Sequence, residues 1–293
     1  MALIPLAGAL TLPWAVSAAH AEAEPASFIT HRVSDAETLM DVARQYDLGF
    51  VELRAANPAV DPWLPGEGRQ VVLPSLHLEP AAERNGIVVN LADQRLYFFA
   101  GSRASAVSFP IGTGRAGCET PTGTTHIVSK RRNPTWVPPA SIRAARPELP
   151  AAIPPGPNNP LGAYALNLGW ENYVIHGTNR PEGIGRRVSH GCLRLYPEDI
   201  ERLFDLVAVG NRVAVLDQPV KLGWIGRQLY LEVHPSQRQA DEIERSGRFS
   251  PEPLPYLRGM IESYPGADNV NVDWSLVDRV AQERLGLAVR ISR

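Results

Sequence analysis

HGTNRPEGIGRRVSHGCLR, residues 176–194, is the stretch that decides the fold. It brings one thiol, that of Cys192, close to two imidazoles in a turn that contains glycine. A free thiol is a weak nucleophile near neutral pH until a base or a positive charge raises its thiolate fraction, and histidine can do this. Gly191 leaves room for a substrate carbonyl and lets the backbone N–H groups of His190, Gly191 and Cys192 converge on an oxyanion. The pattern predicts a cysteine nucleophile, with His176 or His190 as its base.

Two other interpretations of this cluster are a buried structural cysteine and a zinc site. Free cysteine is often buried as a small apolar side chain, but this leaves both histidines and the flanking Arg194 unexplained. His176, His190 and Cys192 would supply three zinc ligands, whereas a structural zinc site takes four protein ligands. The other cysteine, Cys118, has no CxxC spacing to complete such a site. We therefore expect no metal and no other cofactor.

The longer run HGTNRPEGIGRRVSHGCLRLYPEDI resembles the signature of the L,D-transpeptidase (YkuD) catalytic domain, in which HGT precedes SHGC-x-R, and most closely its ErfK/YbiS/YcfS/YnhG group. Two upstream segments, PIGTGRAGCETPTGTTHIVSKRRNPTWVPPASIR and NPLGAYALNLGWENYVIHGTN, are also similar to that group. The resemblance covers residues 86–217 and implies a β-sheet catalytic domain there. Cys118, in RAGCETPTG, matches no residue of the motif, and we expect it to be dispensable.

The resemblance implies a peptidoglycan L,D-transpeptidase. Such an enzyme attacks a tetrapeptide stem between the L-centre of the diamino acid at the third position and the D-Ala at the fourth, so that Cys192 is acylated and D-Ala leaves. An amine then takes the acyl group. A second stem as acceptor gives a 3-3 cross-link, a lysine of an envelope lipoprotein gives a wall-linked protein, and water as acceptor makes the enzyme an L,D-carboxypeptidase, which is a hydrolase.

The resemblance also implies roles for individual residues. His176 is the general base that activates Cys192, and His190 is a supporting imidazole. The candidates for the oxyanion hole or for support of these groups are Gly191, Gly177, Ser189 and Arg194. For Ser189 and Arg194, capping of the turn and a surface charge pair are equally weighted alternatives.

Composition places the chain among ordinary globular proteins. It has 293 residues, 44% of them hydrophobic, and a formal net charge of −2, so it is long enough for two or three domains and has no cationic excess for nucleic acid. Its 27 prolines favour a strand- and loop-rich fold over a helical bundle. Two cysteines do not make a disulfide framework, and a catalytic Cys192 must stay reduced.

The N-terminus predicts export. MALIPLAGALTLPWAVSAAHAEAEP is an apolar run that ends in small residues, and Ala19-His20-Ala21 fits a signal-peptidase site. We expect residues 1–21 to be a signal peptide, with the mature protein in the periplasm and only transient contact with the membrane. An uncleaved membrane anchor is the alternative, but Pro5 and Pro13 interrupt the apolar stretch.

Residues 27–75 predict a small domain with the order β-α-α-β. Ser34, Asp35 and Glu37 are candidate caps for a first helix that carries Leu39 and Val42 on one face. The segments D-x-E-T-L and A-A-N-P-x-V-D-P-W-L-P-G resemble a LysM module, which implies binding to the glycan of peptidoglycan. A packing domain without glycan affinity is the alternative.

The remaining boundaries follow from polarity and periodicity. Residues 76–85 are polar enough for a linker, residues 86–217 form the catalytic domain, and residues 218–293 form a small α/β extension to which the sequence assigns no chemistry. The whole chain is thus predicted to be mixed and β-rich. A competing hypothesis of another class is a non-catalytic wall-binding protein, against which the intact HGT…SHGC-x-R set argues.

Overall fold

The computed structural model describes residues 28–293, so the predicted signal peptide lies outside the described residues. The N-terminal unit has two antiparallel strands and two helices, in the order β1 (Thr30–Arg32), α1 (Leu39–Gln45), α2 (Phe50–Ala56) and β2 (Gln70–Val72). Leu39, Val42, Leu53 and Val71 are fully buried between them. This unit is called the N-terminal module below. Its LysM-like identity and its affinity for glycan stay predictions.

The N-cap of helix α1 lies after all three residues that were predicted to cap it. Thr38 is the N-cap, and its hydroxyl accepts the N–H of Asp41 while the Asp41 carboxylate accepts the N–H of Thr38. The prediction of Ser34, Asp35 and Glu37 as caps was therefore wrong. Glu37 instead accepts the N–H of Ser34 at 2.8 Å, closing the turn before the helix. Several neighbouring residues have side chains that can cap a helix, and the reciprocal hydrogen bonds between Thr38 and Asp41 determine which one is the N-cap.

An eight-stranded mixed sheet forms the centre of the molecule, with the spatial order β11-β9-β8-β7-β12-β3-β4-β5. Neighbouring strands are antiparallel except for the parallel pairs β12–β3 and β11–β9. The strands are β3 (Gly86–Asn90), β4 (Arg95–Phe99), β5 (Val107–Pro110), β7 (Gly123–Arg132), β8 (Tyr164–Leu168), β9 (Val174–His176), β11 (Leu193–Arg194) and β12 (Arg212–Leu216). Two further short strands, β6 (Thr113–Gly114) and β10 (Arg187–Ser189), form a separate parallel ribbon.

One long helix covers the principal core of this sheet. Helix α4 (Pro197–Leu206) presents Ile200, Leu203 and Phe204 to the apolar residues of the strands. A shorter helix, α3 (Ala140–Ala145), lies in the connection between β7 and β8. Strand β3 is buried on both faces, which matches its uninterrupted apolar run Ile87-Val88-Val89.

The C-terminal residues add a three-stranded antiparallel sheet, β13-β14-β15, and three helices. These elements are β13 (Val220–Ile225), β14 (Gln228–Val233), α5 (Gln237–Ser246), α6 (Leu257–Glu262), α7 (Trp274–Glu283) and β15 (Val289–Arg290). They have an apolar core of their own, which includes Leu231, Ile261 and Val277. Residues 218–293 are called the C-terminal extension below.

A buried ionic cluster joins this extension to the central sheet. The Lys221 ammonium lies 2.8 Å from the Asp93 carboxylate and 2.7 Å from the Glu232 carboxylate, and all three side chains are fully buried. Tyr97 donates its hydroxyl to Asp93 at 2.7 Å. Burial alone would raise the pKa of Glu232, but Lys221 and a neighbouring histidine lower it to about 2. The Asp93 carboxylate therefore depends on an ammonium that the C-terminal extension supplies.

The first half of the segment predicted as a linker packs against the rest of the protein. Leu78 is 6% exposed and donates its N–H to Glu232 at 2.6 Å. The His77 ring lies 2.5 Å from Glu52 of the N-terminal module, whose other carboxylate oxygen is 3.1 Å from Arg95 of β4. Charged groups of the N-terminal module, of β4 and of residues 76–85 thus meet, although the sequence of residues 76–85 indicates only a polar segment.

The mixed, β-rich fold class is confirmed, and the N-terminal module has the predicted order β-α-α-β. The sequence did not predict α3, α6, β10, β13 or the two-residue strands β6, β11 and β15. Each of these elements has at most six residues, so periodicity gives little signal for it. Among residues 28–293, no helix combines the length and the apolar composition that crossing a membrane requires.

Candidate active site

Cys192 lies in a turn between the ribbon strand β10 and the edge strand β11 of the large sheet. Gly191 has φ of +102°, a conformation that favours glycine. A Cβ atom at this position would lie 2.8 Å from Cε1 of Tyr173. The glycine of SHGC is therefore required by both the backbone conformation and the packing of the turn.

Ser189 braces the turn from inside. Its hydroxyl accepts the Gly191 N–H at 3.0 Å and donates to the Cys192 carbonyl at 2.6 Å. This geometry corresponds to the capping role that was one alternative for Ser189. It differs from the expectation that the backbone N–H groups of His190, Gly191 and Cys192 all face an oxyanion, because the N–H of Gly191 already has a partner.

His176 is the last residue of β9 and is 5% exposed. The parallel pairing of β9 with β11 sets His176 beside Arg194 and Ile175 beside Leu193. His176 Nδ1 lies 2.5 Å from the carbonyl oxygen of Gly177, so Nδ1 carries the proton and Nε2 has the lone pair of a base. Burial, together with the positive charge of Arg194, lowers the pKa of His176 to about 3. The imidazole is therefore neutral at neutral pH.

The Cys192 thiol is held in its protonated form. Burial raises the pKa of the thiol, although the Val174 N–H and the Arg194 charge oppose this shift. The Sγ atom lies 3.6 Å from the carbonyl oxygen of Asn172. The resting site therefore contains a neutral thiol and a neutral imidazole.

His190 has a different environment from His176. It is exposed, and its Nε2 accepts a hydrogen bond from Arg115 at 3.1 Å. Burial and the positive charges of Arg115 and Arg194 lower its pKa. Because its Nε2 lone pair is already used, the structure distinguishes two imidazoles that the motif leaves equivalent.

The loop after β6 packs directly on the nucleophile turn. Arg115 donates its N–H to the carbonyl of Ser189 at 3.1 Å, and Thr120 donates its hydroxyl to the carbonyl of Gly191 at 2.9 Å. Cys118 lies in this loop, partly exposed and unpaired, and its N–H bonds to the Arg115 carbonyl. The loop therefore supports the turn mainly through Arg115 and Thr120.

A cleft of about 230 Å³ opens beside His190 and Arg194. Arg146, Arg180 and Arg194 line it, no acidic residue does, and Trp136 and Ile142 belong to its apolar wall. Arg194 Nε is buried and has no hydrogen-bond partner within the described part of the chain. Nor does Arg194 form an ion pair with any of residues 28–293, so the predicted surface charge pair is not found.

Sequence reasoning missed four residues that shape the site: Arg115, Thr120, Tyr173 and Arg180. Thr120 and Arg115 belong to the segment RAGCETPTG, which carried the resemblance, but their contacts are with residues more than seventy positions away. Nothing in the local pattern signals such contacts. Between Phe28 and Arg293, no three side chains of His, Cys, Asp or Glu lie close enough together to hold a metal ion.

Comparison with known proteins shows which enzymes the chain is related to. The YkuD family model, described as the L,D-transpeptidase catalytic domain, matches residues 84–215. The chain is 41% identical to the probable L,D-transpeptidase ErfK/SrfK of Salmonella typhimurium, over 88% of this chain and 84% of that one. It is 38% identical to the probable L,D-transpeptidase YcfS of Escherichia coli, over 89% and 82% of the two chains. A solved catalytic domain of the Enterococcus faecium L,D-transpeptidase is 24% identical, over 46% of this chain and 99% of that chain, with a TM-score of 0.37.

The chain therefore belongs to the YkuD family of L,D-transpeptidases, cysteine-dependent enzymes that act on peptidoglycan. Its relatives include ErfK, YcfS and YbiS, and the matches to them extend well beyond the catalytic domain. The resemblance inferred from the sequence is thus confirmed, including its narrower group.

Proposed function

We propose that the chain transfers the acyl group of a peptidoglycan tetrapeptide stem through a thioester on Cys192, with His176 as the general base. One observation carries the assignment of the base. Gly177 fixes the proton of His176 on Nδ1 and leaves Nε2 as a base, whereas Arg115 occupies Nε2 of His190. Sγ attacks the carbonyl of the diamino acid while the thiol proton passes to His176 Nε2. The tetrahedral intermediate then expels D-Ala, whose amine takes the proton back.

The neutral resting pair supports a concerted proton transfer. A pKa of about 3 for His176 and a raised thiol pKa make a preformed thiolate–imidazolium pair unfavourable. Substrate binding brings the carbonyl to the thiol, and the proton moves as the new bond forms. The backbone N–H of Cys192 is the first candidate donor to the oxyanion, since that of Gly191 is held by Ser189.

The cationic cleft is the proposed binding site of the donor stem. A tetrapeptide stem carries carboxylates, and Arg180 and Arg194 line a cleft without acidic residues next to the nucleophile turn. The unpartnered Nε of Arg194 supports such a ligand. Its apolar wall, which includes Trp136, excludes water from the acyl-enzyme and so favours transfer to an amine over hydrolysis.

The location and the acceptor are also part of the proposal. Export to the periplasm rests on the predicted signal peptide and on a peptidoglycan substrate. The acceptor is a second stem or a lysine of an envelope lipoprotein, and the N-terminal module contributes affinity for glycan. The competing hypothesis, a wall-binding protein without catalysis, keeps the affinity of the N-terminal module for glycan but has no acyl transfer and no acceptor.

Two measurements test the proposal. Purified protein is incubated with a disaccharide tetrapeptide, and released D-Ala and 3-3 dimers are quantified for wild type and for Cys192→Ala. Mass spectrometry of the intact protein after treatment with a carbapenem then tests for a covalent adduct. We expect D-Ala release and an adduct in wild type, and neither in Cys192→Ala. Folded wild type without either product would favour the wall-binding alternative, and D-Ala without dimers would identify a carboxypeptidase or a protein acceptor.

A further inference from the structure

Strand β10, which leads into the nucleophile turn, has little support from its own ladder. It pairs only with β6, over two residue pairs and with an irregular register, and this ribbon is separate from the eight-stranded sheet. A short two-stranded ribbon is barely stable by itself. On its β11 side the turn that carries Cys192 continues into the large sheet, whereas its β10 side has only the short β6 ladder and therefore gains from further contacts.

The N-terminal module supplies one such contact. The first N–H groups of α2, those of Phe50 and Val51, donate to the carbonyls of Ile184 and Gly185 at 3.3 and 3.0 Å. A Cβ atom at Gly185 would lie 2.2 Å from Cα of Gly49, so the two backbones touch. These bonds satisfy donors at a helix N-terminus and fix the backbone immediately before β10.

The C-terminal extension supplies the opposite contact. Arg186 and Arg187, at the start of β10, both turn toward α5. Arg186 Nη2 lies 2.5 Å from the Glu244 carboxylate, and Arg187 Nε lies 2.9 Å from the Asp241 carboxylate. Arg187 is 8% exposed and also donates to Gln237, so its guanidinium is locked between two side chains of one helix.

The two helices also pack on each other. Phe50 and Ala55 of α2 meet Ala240 and Ile243 of α5 in one small apolar cluster. The Arg186 guanidinium lies 5.0 Å from the centre of the Phe50 ring, so it contacts both helices. Helices from the two ends of the chain thus close around residues 184–187.

We propose that α2 and α5 form a clamp that positions the nucleophile turn, and that Arg186 and Arg187 are its positioning residues. This gives the C-terminal extension a part in the reaction, and it rests on the proposed role of Cys192. Only Val188 separates the clamped arginines from Ser189, which braces the turn. A displacement of about 1 Å at a reacting group can cost roughly a hundredfold in rate. A loosened clamp is therefore expected to lower kcat strongly while the melting temperature changes little.

The test uses the full chain with two substitutions on α5, Asp241→Asn and Glu244→Gln, alone and together. Glu242→Gln is the matched control, because Glu242 lies on the same helix but pairs with Arg238 and the N–H of Ser250 inside the extension. Release of D-Ala gives kcat and KM. The rate of Cys192 alkylation by iodoacetamide measures the reactivity of the thiol in the absence of substrate. Thermal unfolding measures the stability of each variant.

We expect the double variant to lose roughly ten- to a hundredfold in kcat, with a changed alkylation rate and nearly constant KM, while Glu242→Gln keeps the kcat of wild type. The charge swap Arg186→Glu with Glu244→Arg should recover part of the loss of Arg186→Glu alone. Wild-type kcat and alkylation in the folded double variant would overturn the clamp, and so would an equal loss in Glu242→Gln. Absence of D-Ala release by wild type would contradict the proposed function instead, and the alkylation rates would still test the clamp.

Discussion

Asp199 and Asp47 place two carboxyl groups against each other where α4 meets the N-terminal module. Asp199 is 2% exposed, and Nη1 of Arg202 lies 3.8 Å from its carboxylate and 3.9 Å from that of Asp47. Burial, and then the neighbouring Asp47, raise the pKa of Asp199 to about 8. A buried carboxylate beside a second carboxylate is disfavoured, so this environment favours the protonated form of Asp199.

The first prediction concerns stability and pH. Because the pKa of Asp199 is raised on folding, its contribution is complete below the ordinary carboxyl pKa of about 4 and is lost as pH rises through about 8. Asp199→Asn should therefore flatten the fall of Tm on the alkaline side and leave the variant more stable than wild type there. Thermal unfolding across that range is the measurement. Equal slopes for the two proteins would show that the pair does not hold a proton.

The second prediction concerns Thr120, which is buried and bonds to both Gly114 and Gly191. Thr120→Val keeps the shape but leaves a buried N–H and a buried carbonyl without a partner, at a cost of about 1–3 kcal/mol. We expect a lower free energy of unfolding together with a lower kcat. Thr120→Ser keeps the hydroxyl and is the control. If the serine variant lost as much as the valine variant, methyl packing rather than the hydrogen bond would be responsible.

The third prediction separates the two imidazoles. His176→Ala should lower the rate of Cys192 acylation by roughly 10²–10⁴-fold, because it removes the base. His190→Ala should have a smaller effect, because the Nε2 atom of His190 is bonded to Arg115.

In wild type, the rate of alkylation by iodoacetamide should still be increasing with pH at the ordinary thiol pKa of about 8.5, since burial raises the pKa of the Cys192 thiol. A greater loss in His190→Ala would exchange the two roles.

The fourth prediction concerns substrate charge. If the cleft binds stem carboxylates, Arg180→Gln should raise KM for a stem with a free side-chain carboxylate on the diamino acid, and should have less effect on the amidated stem. Arg103→Gln is a matched control on an exposed loop outside the cleft. Steady-state release of D-Ala from both stems gives the comparison. An identical change in KM for the two stems would place that carboxylate elsewhere.

The fifth prediction concerns Cys118. Its side chain is partly exposed, and its loop is held by other groups, so Cys118→Ser should leave kcat nearly unchanged. The same assay of D-Ala release, with and without a thiol reductant, is sufficient. A large loss, or dependence on reductant that disappears in the serine variant, would indicate redox coupling to Cys192.

The sequence predicts the sheet well because its strands have local signals. The run Ile87–Leu91 and the run Arg95–Phe99 flank a short polar turn, and they form the antiparallel pair β3–β4. The same reasoning missed the ribbon strands, since β6 has only two residues and β10 has three, with Arg186 before it and Arg187 as its first residue. Those arginines suggest a solvated surface in the sequence, yet Arg187 is buried by Asp241 from the other end of the chain.

The site was predictable in its residue types and less so in its arrangement. The motif names Cys192, His176 and His190, but which histidine has a free lone pair depends on Gly177 and Arg115. The latter residue is far away in the sequence, and its contact is set by the path of the loop after β6. The spacing of the motif predicts which residue types meet in the site, whereas the protonation of each histidine depends on neighbours that only the folded structure shows.

The buried ammonium of Lys221 has a consequence for modular rearrangement of this chain. One carboxylate partner, Asp93, lies in the turn before β4, and the other, Glu232, lies in the extension itself. Cutting the chain after the catalytic domain would therefore remove the ammonium that Asp93 pairs with. A recombination event that exchanged the C-terminal segment for an unrelated one would face the same penalty. The C-terminal extension can therefore change by single substitutions that keep Lys221, but its replacement as a whole by an unrelated domain is disfavoured.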